Sequence, residues 1–358
     1  MLTRRDLMIG LPISGVALAQ TGEKMRVGML GLGGHIDQIL SARRTTPGVE
    51  IQAISDANPR LLRSVGERAG VPEERRYADH RALLDKEELD IASICGIDGE
   101  RPGLVLECIK RGLHIIAEKP LTSQWDDLRR MRAALKANPK VRLTMLLEMR
   151  YGGAFMAMRR IVDSGALGEI VQMNGQKSYV FGEQPPRPAW MLSKATFSGT
   201  IPYIGIHLVD LMRYTGKQEP VEVAAFQAHI GQPEAGDMEN TASVTMRLAG
   251  GGTADFHLDY LRPANAGSHG DDRLRLVGTR GILEYMETGL TLVTDKEKFH
   301  TIAPEAKSLS LVPDFLASIL GSHTPLLTLN DVFRANEIVL AARDAAVTKK
   351  VLSIDSSE

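Results

Sequence analysis

The sequence predicts an α/β Rossmann domain with a parallel sheet, followed by a C-terminal α+β domain with an open, mostly antiparallel sheet. Between Met25 and Leu147, short apolar runs alternate with amphipathic stretches, as in a parallel sheet covered by helices. After Arg150, shorter alternating runs are separated by glycine-rich turns, which favours antiparallel pairing. Because the chain has 358 residues, more than one hydrophobic core is expected.

The first domain begins with a strand that leads directly into a glycine turn and then an amphipathic helix. That helix carries Ile36, Ile39 and Leu40 on one face. Proline and glycine mark the ends of later helices, as expected from where each residue is tolerated. The predicted strands are Arg26–Leu30, Val49–Ser55, Asp90–Ile94, His114–Ala117 and Val141–Leu147, and the further helices run from Pro59 to Gly70, from Pro102 to Arg111 and from Thr122 or Ser123 to Ala137.

The second domain combines helices with a run of alternating strands. A proline-rich loop, Glu183–Trp190, separates its first two helices, and a last helix follows the strands. The predicted helices are Ala154–Val162, Tyr203–Tyr214 and Asn330–Ala346, and the predicted strands are Val221–Ala228, Thr241–Leu248, Thr253–Tyr260, Arg273–Val277 and Gly281–Met286.

Composition and charge exclude several classes of protein. The hydrophobic fraction of 43% and the charged fraction of 24% are those of an ordinary globular protein. A formal net charge of −1 gives no indication of nucleic-acid binding, which would require clustered Lys and Arg. The two cysteines, Cys95 and Cys108, are too few for a disulfide framework or a Cys-rich metal site, and we predict buried free thiols and no metal.

Residues 1–19 are predicted to be a signal peptide rather than part of the fold. Arg4 and Arg5 precede a short apolar stretch, and Ala17-Leu18-Ala19 has the small residues of a cleavage site. The stretch is too short to span a bilayer. It resembles a twin-arginine export signal, although Met8 stands where a basic residue is usual.

Periplasmic export is therefore expected. The alternatives are a Sec signal, or a cytoplasmic protein with an N-terminal extension. The predicted domains are residues 22–148 for nucleotide binding and residues 149–354 for substrate binding and oligomerisation.

The glycine turn predicts a dinucleotide site. Gly31 and Gly33 take the first two positions of the Rossmann fingerprint, but Ile36 occupies the third, where Gly or Ala is usual. With Gly34 and His35, these residues open a helix whose N-terminal amides would hold a pyrophosphate.

An acidic residue at the end of the second strand indicates which dinucleotide binds. Asp56 would bind the adenosine ribose hydroxyls and repel a 2′-phosphate, which favours NAD over NADP. The nearby Arg60 weakens this argument against NADP. The competing interpretation is that Asp56 only caps the helix beginning near Pro59.

Glu118-Lys119-Pro120 ends a later parallel strand and predicts a reactive group beside the dinucleotide. Ligands of such sheets bind at the carboxyl ends of the strands, so Lys119 would project toward the ligand. A charged lysine there would donate to a substrate hydroxyl and stabilise charge on its oxygen. The alternative is a surface lysine at a strand end.

A second group of candidates lies on one predicted helix. Tyr203 and His207 are four residues apart and Asp210 is three further, so the three share a face of a regular helix. A histidine with a carboxylate neighbour is suited to proton transfer near neutral pH. A helical histidine can equally be a core or surface residue, and only the combination with Lys119 favours catalysis.

Taken in order, these motifs look like those of the Gfo/Idh/MocA oxidoreductase family, from Met25 to Ile354. The resemblance implies a sugar or cyclic polyol substrate, Lys119 as the active-site lysine, His207 as the general acid/base, and a homo-oligomer formed through the outer face of the C-terminal sheet. The motifs are Gly31-Leu32-Gly33, Asp56, Glu118-Lys119-Pro120, Glu148-Met149-Arg150-Tyr151, Gly205-Ile206-His207-Leu208-Val209-Asp210 and Gly278-Thr279-Arg280-Gly281.

Two positions depart from the family pattern. The family commonly has an aspartate four residues before the histidine, where this chain has Tyr203. It also commonly has a histidine after the fourth strand, and the segment Asp98-Gly99-Glu100-Arg101 lacks one. Tyr203 could act as a proton shuttle or stack on a sugar ring, and the sequence leaves both open. Arg150, Trp190 and Asp210 are predicted around the substrate.

Export would limit the reaction, because an exported enzyme has no soluble nicotinamide pool. A cofactor retained for hours needs a Kd of about 10⁻⁹ to 10⁻¹¹ M, and its hydride must return within each cycle. The main prediction is hydride transfer at a sugar or polyol hydroxyl. The alternatives are an NAD-dependent glycoside hydrolase that acts through transient oxidation and a non-catalytic dinucleotide-binding sensor.

Overall fold

A computed structural model describes residues 24–182, 187–306, 309–321 and 323–354. The predicted signal peptide and part of the proline-rich loop lie outside these residues. The chain forms two compact units. The described residues of the first are 24–121, 126–148, 309–321 and 323–332, and those of the second are 122–125, 149–182, 187–306 and 333–354.

The first unit contains a six-stranded parallel sheet with the strand order β3-β2-β1-β4-β5-β6. This is the order of a dinucleotide-binding Rossmann fold, in which two mononucleotide-binding halves meet between β1 and β4. The strands are β1 (Met25–Leu30), β2 (Val49–Ser55), β3 (Arg76–Tyr77), β4 (Ile91–Ile94), β5 (His114–Ala117) and β6 (Leu143–Met145).

Local sequence signals explain the helices between these strands. The Asn58 side chain caps the second helix by accepting from the backbone N–H groups of Arg60 and Leu61. Gly70 ends the same helix in the left-handed conformation, with φ of 66°. The helices are α1 (Ile36–Thr45), α2 (Pro59–Ala69), α3 (His80–Lys86), α4 (Arg101–Lys110) and α5 (Trp125–Ala137).

The second unit contains a nine-stranded mixed sheet in the order β14-β13-β12-β11-β7-β10-β9-β8-β15. Its pairs are antiparallel except for β7 and β10, which are parallel. The strands are β7 (Ile170–Val180), β8 (Pro220–Ala228), β9 (Thr241–Leu248), β10 (Thr253–Arg262), β11 (Gly270–Gly278), β12 (Gly281–Met286), β13 (Gly289–Thr294), β14 (His300–Ile302) and β15 (Leu352–Ser353).

Two helices, α6 (Gly153–Asp163) and α7 (Ile206–Gly216), pack against each other in this unit, and α7 covers the inner face of β7. Gly175 makes the close approach possible, because a Cβ there would lie 2.9 Å from the Met212 Cε and 3.0 Å from Leu208. The C-terminal helices are α8 (Leu311–Ile319), which packs on α1, and α9 (Leu329–Thr348).

The predicted fold class is confirmed, with differences of detail. The elements β3, α3, β7, β13, β14, α8 and β15 were not predicted, and the helix predicted from Tyr203 begins instead with a π-helical turn at Ile201–Gly205. No helix in the described part of the chain is long and apolar enough to cross a membrane.

Candidate active site

The glycine turn between β1 and α1 is built so that only glycine fits at two of its positions. Gly31 and Gly34 have φ of +83° and +58°. A Cβ on Gly31 would strike the backbone of Gly96, and one on Gly34 would lie 2.7 Å from the Glu118 Oε2. Both glycines are therefore required by the protein's own packing.

Gly33 differs, because no neighbouring group among the described residues requires a glycine there. A Cβ on Gly33 would meet only the Cys95 carbonyl oxygen, at 3.5 Å, and its φ is not positive. Open space beside a backbone amide is what the second fingerprint glycine provides for a pyrophosphate. The turn therefore fits a dinucleotide. Ile36 lies at the start of α1 with its side chain 6% exposed, so its side chain packs into the core.

Asp56 faces the same turn from the end of β2. Its Oδ2 accepts from the Leu32 N–H at 2.9 Å, and its Oδ1 accepts from the Asn58 N–H at 2.8 Å. Because Asn58 caps α2, the competing role of Asp56 as the helix cap is filled by another residue. The half-buried carboxylate is consistent with the ribose-binding role predicted for it.

Lys119 lies at the carboxyl end of β5 with 2% of its surface exposed, beside the 3%-exposed Glu118. The Lys119–Pro120 peptide is cis. Burial lowers the pKa of the Lys119 amine to about 8, against the opposing charges of Glu118, Asp98 and Glu148. An amine with this pKa can give or take a proton near neutral pH.

His35 ties the glycine turn to Glu118. The His35 backbone N–H donates to the Glu118 Oε2 at 3.0 Å, and its Nδ1 lies 2.8 Å from the Oε1. Burial alone lowers the pKa of the His35 imidazole, but the charge and hydrogen bond of Glu118, with the charge of Glu148, raise it above its ordinary value. Although its burial opposes this, Glu118 has its pKa lowered to about 2, mainly by His35.

Arg101 occupies the segment in which the family's histidine is missing, and the sequence did not identify it as a site residue. Its side chain is 1% exposed. Its guanidinium donates to the Pro120 carbonyl, to the Gly96 carbonyl at 3.1 Å and to the Asp98 carboxylate at 2.8 Å. Arg101 therefore holds the turn after Lys119 against the end of β4.

Glu148 is a second residue of this cluster to which the sequence assigned no role. Its Oε1 lies 3.6 Å from the His35 Nε2. Its Oε2 is buried and has no hydrogen-bond partner among the described residues. The cluster around Lys119 thus contains three carboxylates, from Asp98, Glu118 and Glu148, and three basic groups, from His35, Arg101 and Lys119.

The second unit places its own candidates around the start of α7. His207 lies in the first turn of α7 and is 4% exposed. Tyr203 lies in the preceding π-helical turn, with its ring 5.0 Å from that of Phe197. Tyr203 therefore lies on a π-helical turn rather than on the regular helix that the sequence predicted.

Asp210 and Arg150 form a buried ion pair in which the Nε and Nη2 atoms of Arg150 donate to the two carboxylate oxygens. The two residues are 1% and 2% exposed. The Arg150 guanidinium also lies over the Tyr214 ring, 5.0 Å from its centroid. The sequence placed both residues around the substrate, whereas in the structure their charged ends face each other.

A row of polar and aromatic side chains continues along the inner face of β7 and its neighbouring strands. The Lys177 ammonium is fully buried, donates to the Asp272 Oδ2 at 2.8 Å and lies 5.2 Å from the Tyr179 ring centroid. The Tyr179 ring is 6.3 Å from that of Tyr260, over which the Arg187 guanidinium lies at 4.3 Å.

Two atoms in this row lack partners. The Asp272 Oδ1, an acceptor, and the Arg187 Nε, a donor, are buried without hydrogen bonds among the described residues.

Trp190 is half-buried, with its ring 6.3 Å from that of Phe197. No group of three or more His, Cys, Asp or Glu in the described ranges could hold a metal ion.

Comparison with known proteins identifies the two units. Residues 25–145 match a model described as an oxidoreductase family with an NAD-binding Rossmann fold, and residues 155–284 match the GFO/IDH/MocA C-terminal domain. Together the two models cover more than two thirds of the chain.

Curated relatives include inositol 2-dehydrogenase 2 of Saccharopolyspora erythraea, which is 26% identical over 76% of each chain. They also include myo-inositol 2-dehydrogenase of Thermotoga maritima, 27% identical over 72% of this chain and 74% of the relative. An oxidoreductase structure from Thermotoga maritima aligns with a TM-score of 0.86 and 29% identity, over 92% of this chain and 100% of that one. Levoglucosan dehydrogenase in complex with NADH shares the fold, with a TM-score of 0.81 and 17% identity over 94% and 100% of the two chains.

Proposed function

The chain belongs to the Gfo/Idh/MocA family of oxidoreductases, and we propose that it oxidises a hydroxyl of a sugar or cyclic polyol by hydride transfer. The observation that carries this proposal is Lys119, a buried amine at the carboxyl end of β5 in an NAD-binding Rossmann domain. Burying an ammonium is unfavourable unless other charges compensate it. The retention of Lys119 within a charge-balanced cluster supports a chemical role for this residue rather than a structural one.

Bound NAD supplies the hydride acceptor. The protein's part is to orient the substrate hydroxyl and move its proton. Lys119 donates a hydrogen bond to the hydroxyl oxygen and stabilises the negative charge that develops there. His207 accepts the hydroxyl proton as the general base. Glu118, held by His35, fixes the strand end from which Lys119 projects.

A polyhydroxylated substrate is supported by the row of side chains in the second unit. Aromatic rings of the kind present there, Tyr179 and Tyr260, suit the apolar faces of a sugar or cyclitol ring. Substrate hydroxyls can donate to the buried Asp272 Oδ1 and accept from the buried Arg187 Nε. Relatives whose names specify inositol favour a cyclic polyol.

The test is a spectrophotometric panel of inositols, aldoses and their acids with NAD and the purified protein. Lys119→Ala and His207→Ala should each lose about 10²-fold or more in kcat/KM on the preferred substrate. Lys110→Ala, which alters an exposed lysine at the end of α4, is the matched control. An NAD-binding protein that turns over none of the panel would refute the proposal.

Retention of NAD in the periplasm is a separate proposal, supported by the twin-arginine-type segment at residues 1–19. A retained cofactor also favours the second candidate, a glycoside hydrolase in which transient oxidation permits elimination of the glycosidic bond. Protein purified without nucleotide should release NAD in equal amount on denaturation. If it is empty and binds NAD only at micromolar concentration, both retention and the hydrolytic alternative lose their support, and an ordinary dehydrogenase remains.

A further inference from the structure

Glu148 presents a buried acceptor to which no role has been assigned. Its Oε2 has no solvent contact and no hydrogen-bond partner in the described part of the chain, while its Oε1 faces His35. Leaving a buried polar group without a partner is unfavourable, and the penalty is larger for a charged group. In a native protein, a bound water, ion or ligand can supply the missing donor to such an atom.

The position of Glu148 in the sheet identifies the part of the ligand it faces. Glu148 follows β6 and Lys119 follows β5, so both belong to the half of the fold formed by β4, β5 and β6. The other half, β1 to β3, carries Asp56 and its predicted ribose contact. In a fold built from two mononucleotide-binding halves, the second half binds the nicotinamide mononucleotide.

We propose that the Glu148 carboxylate accepts a hydrogen bond from the carboxamide NH₂ of the bound nicotinamide and so fixes the orientation of its ring. Within the nicotinamide mononucleotide, that group is the nitrogen donor, and a carboxylate accepts strongly from it. The His35 Nε2 lies 3.6 Å from the other carboxylate oxygen, and the His35 Nδ1 is held by Glu118. The pair His35 and Glu148 thus joins the glycine turn to the nicotinamide end of the site. This inference rests on the proposed function, because it takes the nicotinamide to be the reacting group.

The test compares NAD with 3-acetylpyridine adenine dinucleotide, in which a methyl ketone replaces the carboxamide and the NH₂ is lost. Each would be titrated against bound NADH, with fluorescence as the readout, so that no turnover is needed. Wild-type protein should bind the analogue about tenfold more weakly than NAD, which corresponds to one charge-assisted hydrogen bond.

Glu148→Ala should bind NAD about tenfold more weakly than wild type and should no longer distinguish the two dinucleotides. Glu148→Gln keeps an acceptor oxygen and should retain part of the discrimination. Glu67→Ala removes an exposed glutamate of α2 and should behave as wild type. Thermal unfolding of each variant checks that it is folded.

The same discrimination ratio in wild type and Glu148→Ala would overturn the inference. If both dinucleotides are then weakened equally, the carboxylate is used instead by a ribose or substrate hydroxyl, or by the fold itself. This result leaves the proposed function standing, since NAD still binds. Failure of the wild-type protein to bind either dinucleotide would remove both together.

Discussion

Among single residues, Lys119 combines a charge-balanced neighbourhood with nearly complete burial. The neighbouring carboxylates favour its charged form and burial disfavours it, and burial is the larger effect. The amine is therefore mostly charged at neutral pH but loses its proton well below the ordinary lysine range. Two predictions follow from this balance.

We expect kcat/KM for substrate oxidation to fall as pH rises through about 8, because the ammonium that stabilises the substrate oxygen is lost there. Lys119→Arg stays charged across this range, so its lower activity should show no such decline. The measurement is initial rates between pH 6 and pH 10 at saturating NAD. A wild-type rate that rises throughout this range would show that the neutral amine is the active form.

Lys119→Met should raise the free energy of unfolding of the nucleotide-free protein at pH 7, because it removes a buried charge. Below pH 8 the lysine is charged in both the folded and the unfolded state, and the folded state bears the full penalty. Between about 8 and 10.5 only the unfolded state still binds the proton, so wild-type stability rises with pH. The advantage of the variant should therefore shrink toward pH 10.

Thermal melts across this pH range would check that prediction. Lys110→Met, at an exposed position, should show no pH-dependent advantage. A Lys119→Met variant that is less stable than wild type at pH 7 would mean that the attraction of Glu118, Asp98 and Glu148 exceeds the effect of burial.

Only those site residues that belong to a recognisable sequence motif could be predicted from the sequence. Lys119, Asp56 and the glycines lie in spaced motifs, and each lies at the end of a strand or beside one. Arg101 and Glu148 could not be assigned a role, because their significance lies in contacts to residues 19 and 113 positions away, Pro120 and His35. The absence of a histidine near Arg101 was the one available signal.

At the scale of elements, the glycine turn separates residues needed by the protein from residues needed by the ligand. Gly33→Ala should leave the melting temperature of the nucleotide-free protein nearly unchanged, because its new Cβ meets only a carbonyl oxygen at 3.5 Å. The same variant should lose about tenfold or more in NAD affinity, because the methyl group fills space predicted for the pyrophosphate.

Gly31→Ala is the matched comparison and should lower the melting temperature itself, because its Cβ would strike the backbone of Gly96 at a positive φ. Differential scanning calorimetry with and without NAD separates the two effects. Equal destabilisation of both variants without nucleotide would contradict this division of roles.

The failure to predict β7 from the sequence has a physical explanation. Its inner-face positions are Met173, Gly175, Lys177 and Tyr179, so a glycine and a lysine interrupt the apolar alternation that identifies a strand. Gly175 is required by the approach of α7, and Lys177 is neutralised by Asp272 on the adjacent β11. Gly175 and Lys177 are thus explained by tertiary contacts, which the local hydrophobic pattern does not reveal.

At the scale of the whole molecule, the nine-stranded sheet has an outer face opposite α7. Phe226, Ser243 and His257 form a cross-strand row on it. Phe226 is 73% exposed, and an aromatic ring so placed suits a contact between copies of the chain. We expect light scattering to give an oligomer, and Phe226→Asp to lower its mass. Phe299→Asp, at an equally exposed phenylalanine before β14, should not. A monomeric wild-type protein would contradict this prediction.

The membership of residues 309–332 in the nucleotide-binding unit has a consequence for synthesis of the protein. The strands β1 to β6 leave the ribosome first, but α8, which packs on the helix that follows the glycine turn, is made only after the whole intervening sheet. Contacts this distant in sequence form late. The nucleotide-binding unit therefore reaches its final packing only after α8 has been made, late in translation.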